Sequence, residues 1–242
     1  GIEAKKVSGN PLILHMHATE FDRTGEQGVN QEIYDIERMS LEFADGIIAV
    51  SNFTKEKIVK HYGIPREKIR VVHNGIDECD YLVTPDRLSE LKRAGQKIVL
   101  FVGRITIQKG PEYFIRAAKR VLEQDPSVLF IVAGSGDMER QMILEAANSG
   151  ISNQVLFAGF LRGDDLTAMY KSADLFVMPS VSEPFGITPL ESIIAGAPVL
   201  ISRQSGVSEV LTHALKVDFW DTDDMANKIV GVISHDSLKN TL

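Results

Sequence analysis

Cysteine is scarce in this sequence, and long apolar runs and excess positive charge are missing. The one cysteine, Cys79, excludes an internal disulfide framework and fits a reducing compartment. No apolar run approaches the ~18–20 residues of a membrane-spanning helix. Residues 1–6, Gly-Ile-Glu-Ala-Lys-Lys, do not read as a signal peptide. Together these features predict a cytoplasmic protein. The 26 Lys and Arg are outnumbered by 33 Asp and Glu, and the net charge of −7 argues against an extended nucleic-acid surface. Internal repeats and low-complexity tracts are absent as well. What remains is ordinary for a globular chain, 44% hydrophobic and 24% charged. Its 242 residues suffice for one large or two small domains.

Taken in order, apolar runs alternate with helical periodicity. Residues 11–17 read as a strand and 18–30 as a polar loop. Residues 31–43 read as a helix with a stripe at Ile33, Ile36, Met39, Leu41 and Phe43. Residues 46–50 form a short buried strand, and Ser51 is placed to cap a helix over 52–62 that Gly63 ends. Residues 68–73 give a third strand, closed by an Asn74–Gly75 turn. This β-α-β-α-β order is the repeat of a parallel sheet. The polar stretch from Asp77 to Gln96 breaks the pattern and reads as a connection. The expected division is a first domain at 1–82, a linker at 83–96 and a second domain at 97–242. The second alternates strands at 97–103, 128–133, 155–160, 174–178 and 198–201 with helices starting near Pro111, Asp137, Asp164, Pro189 and Thr222. The fold class expected is α/β, with two Rossmann-like, doubly wound parallel sheets. The first is incomplete, lacking opening strands and a glycine-rich first βα turn, so either a fragment of a longer chain or a first domain that has been cut down is expected.

Residues 180–191, Ser-Val-Ser-Glu-Pro-Phe-Gly-Ile-Thr-Pro-Leu-Glu, follow an apolar strand and run into a helix start. Thr188 is a candidate cap, Pro189 suits the first helical position, and Glu191 lies three residues past the cap. A glycine-containing loop thus joins a strand's carboxyl end to a helix N-terminus, where free N–H groups and the helix dipole favour anions. Glu183 and Glu191 frame the loop. Each has a plain reading, Glu183 as a solvated loop charge and Glu191 as a capping-box partner. Carboxylates repel phosphates, so hydroxyl groups are their better partners here. A second loop, Gly103-Arg-Ile-Thr-Ile-Gln-Lys-Gly110, puts Arg104 and Lys109 after a strand end, where two cations can hold a diphosphate. Spacing alone equally allows two solvated surface charges. Gly134-Ser-Gly136 is not a dinucleotide fingerprint, because Glu139 stands where its third glycine belongs. Asp-x-Asp is read as absent, and no His/Cys grouping has zinc spacing, so no metal or other cofactor is expected. On the first strand His15 and His17 fall on one face.

The spacing Glu183-x(7)-Glu191, the Glu183-Pro-Phe-Gly186 segment and Gly103-Arg-x(4)-Lys-Gly110 together resemble the signature of retaining glycosyltransferases of the GT-B fold, family 4 and the glycogen-synthase-like group. The likeness runs from Pro11 to about Leu211. It implies a nucleotide-diphosphate sugar as co-substrate, a carbohydrate or lipid-linked acceptor, and a hexosyl transfer without a bound metal. No nucleic-acid partner is implied, and membrane contact would be peripheral. It further implies that Arg104 and Lys109, beside Gly103, stabilise the leaving diphosphate. Glu183 would lie against the donor sugar near the N–H groups of Phe185 and Gly186, with Ile187 and Thr188 continuing that segment, and Glu191 would hold ribose hydroxyls. His17 would bond the transferred sugar, Arg23 would face the phosphates, Gly134 and Gly136 would lie near the nucleotide, and Phe160 near the base. After Glu209 the sequence departs from the family's glycine-rich turn. Two other readings keep the fold: a nucleotide-sugar epimerase, against which Glu-Pro-Phe-Gly argues, and a donor-binding remnant without activity.

Overall fold

Runs rich in Val, Ile, Leu and Phe are separated by helices in nearly every interval, and that alternation sets a parallel arrangement. The computed structural model describes residues 1–25, 28–77 and 95–235. A first sheet holds β1 (Ile13–Met16), β2 (Gly46–Ala49) and β3 (Ile69–Val71), in that order and all parallel. Around it lie α1 (Ile2–Ser8), α2 (Glu20–Arg23), α3 (Gln31–Phe43) and α4 (Asn52–Tyr62). Asn30 caps α3 by accepting from the N–H groups of Glu32 and Ile33. Ser51 caps α4 by accepting from Thr54 N–H, as its place in the sequence predicts. Leu41, Ile47, Ile58, Tyr62 and Ile69 form the core of this unit.

The second sheet has six parallel strands. Its order is β6 (Val155–Gly159), β5 (Leu129–Ala133), β4 (Ile98–Val102), β7 (Leu175–Met178), β8 (Val199–Ser202) and β9 (Leu215–Val217). The chain winds outward from β4 through β5 and β6, then returns to β7 and winds the other way. That reversal makes a doubly wound sheet with its crevice between β4 and β7. Its helices are α5 (Pro111–Leu122), α6 (Glu139–Asn148), α7 (Gly163–Ser172), α8 (Thr188–Ile194) and α9 (Thr222–Ser234). Alternation along β4 feeds both faces. Val99 and Phe101 join Phe114 and Val121 in one core, while Ile98 and Leu100 join Tyr170 and Phe176 in the other. Each such large side chain, fully buried, contributes about 1.5–3 kcal/mol.

The structure corrects the sequence reading in several places. Residues 18–30 are not a plain polar loop. They contain α2, whose Asp22 is fully buried and accepts from the Thr19 N–H at 2.8 Å and the Thr19 hydroxyl at 2.9 Å. A charged side chain with enough donors can be buried, and hydropathy alone does not report that. The Asn74–Gly75 turn does not form: residues 72–77 have no regular structure, and Gly75 does not take the positive φ of a tight turn. β9 arises from a segment without a clear strand pattern, because edge pairing with β8 supplies its backbone partners. The linker expected at 83–96 lies, apart from residues 95 and 96, outside the described residues.

Candidate functional site

Because β4 and β7 are neighbours, the loops leaving their carboxyl ends face one another. The loop after β4 carries Arg104 and Lys109 and ends in a 3-10 turn at Ile107–Lys109. The loop after β5 presses against it. A Cβ on Gly134 would lie 1.8 Å from the Gly103 carbonyl oxygen, and one on Gly136 2.3 Å from that of Ile105. The Ile105 N–H donates to Ser135 O at 3.0 Å across the same contact. These two glycines therefore set the position of the cation-bearing loop by letting backbone meet backbone.

Glu183 is buried and paired, not solvated. Its carboxylate accepts from the Lys109 ammonium and from the Ser180 hydroxyl at 3.2 Å, and its side chain is only 8% exposed. Its backbone is held as well: Glu183 N–H donates to Gln204 O at 3.0 Å, and Gly206 N–H donates to Glu183 O at 2.9 Å. Lys109 is half-buried by this pairing. Arg104 is exposed, with Nη2 tethered to Gln108 Oε1 at 3.2 Å.

The capping box that Thr188 and Glu191 could form is absent. Ile187 already has helical dihedrals (φ −81°, ψ −35°), so Thr188 is the first residue of α8, Pro189 the second, and no side chain caps the helix. Glu191 is turned elsewhere: its carboxylate accepts from the Tyr170 hydroxyl at 2.7 Å. A cavity of about 550 Å³ opens here, bounded by Gly103, Arg104, Gly134, Phe160, Thr188 and Glu191. That volume is in the range of small-molecule sites. Phe160, at 73% exposed, stands against it, while Phe185 is buried in the sheet core and Ile187 is 40% exposed. Gly186 bends the chain between them with φ +99°. His17 and Arg23 are exposed on the first unit, His17 with its ring 4.1 Å from that of His15, as their shared face predicts. The sequence does contain one Asp-x-Asp, at 221–223, away from the candidate loops. Asp221 caps α9 by accepting from Asp224 N–H, and Asp223 pairs with Arg120.

Several residues that the sequence reading passed over bring the first unit to this loop. Lys57 and Asp22 form a buried ion pair at 3.2 Å, and both reach the Ser182 hydroxyl. The hydroxyls of Ser51 and Thr54 donate to Pro184 O. Glu209 reaches back to the start of α4, accepting from Phe53 N–H at 2.7 Å, Asn52 N–H at 2.9 Å and Asn52 Nδ2 at 3.0 Å, and it pairs with His73 at 3.0 Å. Burial pushes the Glu209 carboxyl up, but the bonds from His73, Asn52 and Phe53 outweigh it and hold the group below the usual range. Most of these pairs are separated by more than a hundred residues, so no local pattern announces them. Among the described residues no helix is long and apolar enough to cross a membrane.

Comparison with known proteins agrees with this geometry. The family profile for Glycosyl transferases group 1 matches residues 84–241, and that for Glycosyltransferase Family 4 matches residues 1–78. An uncharacterized glycosyltransferase of Methanocaldococcus jannaschii is 36% identical over 222 residues, covering 88% of this chain and 57% of that protein. A glycogen synthase of Mycobacterium tuberculosis is 28% identical, covering 84% of this chain and 49% of the synthase. The chain thus spans about half the length of the curated relatives it matches. Among solved structures, Anabaena HepE in complex with UDP and glucose superposes on all of this chain and 67% of its own, with a TM-score of 0.85 at 23% identity. Sucrose-phosphate synthase from Thermosynechococcus elongatus follows with a TM-score of 0.82 at 22% identity, over 95% of this chain and 60% of its own. The fold is that of GT-B glycosyltransferases, and the chain belongs to the family of glycosyl transferases group 1.

Proposed function

We propose that this chain carries the donor site of a retaining, metal-independent hexosyltransferase of the family 4 type. Residues 97–242 are the nucleotide-sugar-binding domain, residues 1–82 the acceptor-side domain and 83–96 the linker between them. The observation that carries the reading is a switch-point crevice whose cavity of about 550 Å³ is bounded by Arg104 and Glu191, with the Lys109–Glu183 pair formed between the same two loops outside its lining. Arg104 and Lys109 stabilise the negative charge that grows on the departing diphosphate, which is usually a large catalytic contribution. Glu191, already accepting from one hydroxyl at Tyr170, has the chemistry to accept from ribose hydroxyls. Glu183 takes hydroxyls of the donor sugar. The diphosphate leaves from the face that the acceptor hydroxyl enters, and a phosphate oxygen takes the acceptor's proton, so the anomeric configuration is kept. His17 and Arg23 on the first unit serve the sugar and the phosphates. The acceptor is a carbohydrate or lipid-linked hydroxyl compound, met in the cytoplasm or at a membrane surface.

The test is a thermal-shift screen with UDP-, GDP- and ADP-sugars, since a bound donor raises apparent stability by mass action. HepE is described with UDP and with UDP-glucose, which makes the uridine pair the first probe. EDTA leaves the shift and any turnover unchanged, and the product keeps the donor's anomeric configuration. A shift with no nucleotide sugar, activity restored by added magnesium after EDTA, or epimerised donor formed without acceptor would each overturn the reading.

A further inference from the structure

The Ser182–Pro184 segment is gripped from the first unit. Ser182 Oγ donates to Asp22 Oδ1 at 2.6 Å and accepts from Lys57 Nζ at 2.9 Å. Asp22 and Lys57 are themselves an ion pair whose side chains are 0% and 7% exposed. Asp22 is held in turn by Thr19, and the Lys57 ammonium sits 4.9 Å from the centre of the Phe53 ring. Two residues on, Pro184 O accepts from the hydroxyls of Ser51 and Thr54. From the second unit, Gln108 Nε2 donates to Ser182 O at 3.1 Å. Glu183 lies between these anchors, and its carboxylate meets Lys109.

A buried ion pair adds little stability over a well-packed apolar pair of the same shape. What it adds is direction: charge-assisted bonds are short and angularly demanding. We propose that the Asp22–Lys57 pair is a positioning device. It fixes the Ser182–Glu183–Pro184 segment, and through it the sugar-facing half of the donor site, only when the two units are docked. The inference rests on the donor-site reading above. The cation-bearing loop has its own anchors within the second unit, through Gly134, Gly136 and the Ile105–Ser135 bond. The diphosphate half of the site therefore has anchors of its own inside the second unit, and Arg23 serves it without passing through Ser182, whereas the sugar half is anchored from the first unit through Ser182 and Pro184. Lys57 and Asp22 touch no substrate in this scheme.

The experiment compares binding of UDP and UDP-glucose, or the matching pair for whichever base the screen selects, by calorimetry. It uses wild type, Lys57→Met and Ser182→Ala. Both variants bind UDP no more than about threefold more weakly than wild type, and both lose at least about tenfold in affinity for UDP-glucose. Loss of a purely structural group would weaken both ligands together. Should Lys57→Met fail to fold, Ser182→Ala, which removes one hydroxyl, carries the same comparison. Wild-type affinity for UDP-glucose in Ser182→Ala, or equal losses for the two ligands, overturns the positioning role alone. A wild-type protein that binds neither ligand of any pair overturns the donor-site reading, and this inference falls with it.

Discussion

At the scale of single residues, the two glutamates that frame the loop have different surroundings and so different expected behaviour. Glu183 neutralises Lys109. A diphosphate arriving at Lys109 must compete with that carboxylate and be repelled by it. In Glu183→Gln the ammonium is freer, so UDP affinity rises by at least about threefold, roughly 0.6 kcal/mol, while any sugar transfer falls. Calorimetry and a turnover assay on the same protein check this, and weaker UDP binding would count against the site. Glu191 accepts from Tyr170 and takes no part in capping α8. A glutamine keeps an oxygen for Tyr170 but presents an NH2 group where a carboxylate oxygen stood. Glu191→Gln therefore melts within a degree or two of wild type, an estimate of ~0.5 kcal/mol at most. Its nucleotide-sugar affinity drops at least about tenfold. Unchanged affinity with a lowered melting temperature would return Glu191 to a structural role.

At the scale of elements, α4 is the hinge of the arrangement. Its cap, Ser51, was legible from sequence, because serine before a helical stretch has an oxygen for the free N–H groups. Its second acceptor, a carboxylate, was not: Glu209 bonds the N–H groups of Asn52 and Phe53 from 157 and 156 residues away. A carboxylate at a helix N-terminus also gains from the dipole. Because the Glu209 carboxyl is held down in the folded protein, its contribution is present above the unfolded value of roughly 4.3. It is lost as pH falls through the lower folded value. The melting temperature of wild type exceeds that of Glu209→Gln at neutral pH, and the gap closes as the pH is taken down through and below the ordinary carboxylate range. A gap that stays constant over that range would mean that the charge on Glu209 does not matter to α4.

At the scale of the whole molecule, the two units meet through close packing of the Gly206 backbone on the Ser51 side chain as well as polar bonds. A Cβ on Gly206 would lie 2.2 Å from Pro184 O and 2.5 Å from Ser51 Cβ. Gly206 does not have a positive φ, so an alanine there is costly for steric reasons alone. Gly206→Ala should wedge the units apart, costing about 1–3 kcal/mol and splitting one calorimetric melting transition into two. A single transition at the wild-type temperature would show that the contact is not made as described.

The sequence by itself determined the α/β alternation, the helix starts at Ser51 and Pro111, and the two loops that matter, because those signals are local. Hydrophobic periodicity, proline at a helix start and glycine after a strand act over a few residues, and the chain obeys them wherever tertiary contacts do not object. It also put Arg104, Lys109 and Glu183 in loops after strand ends and Glu191 on the helix that follows, though not Lys109 beside Glu183 or Arg104 across the cavity from Glu191. Their meeting follows from the order of the sheet, which places β4 next to β7 across more than seventy intervening residues. Only the tertiary structure decided that Glu183 is buried against Lys109, that Glu191 faces Tyr170 and not its own helix end, and that Asp22 and Lys57 grip Ser182. Hydropathy scores a charge as exposed until its partners are known, and here the partners lie from 21 to 160 residues away along the chain.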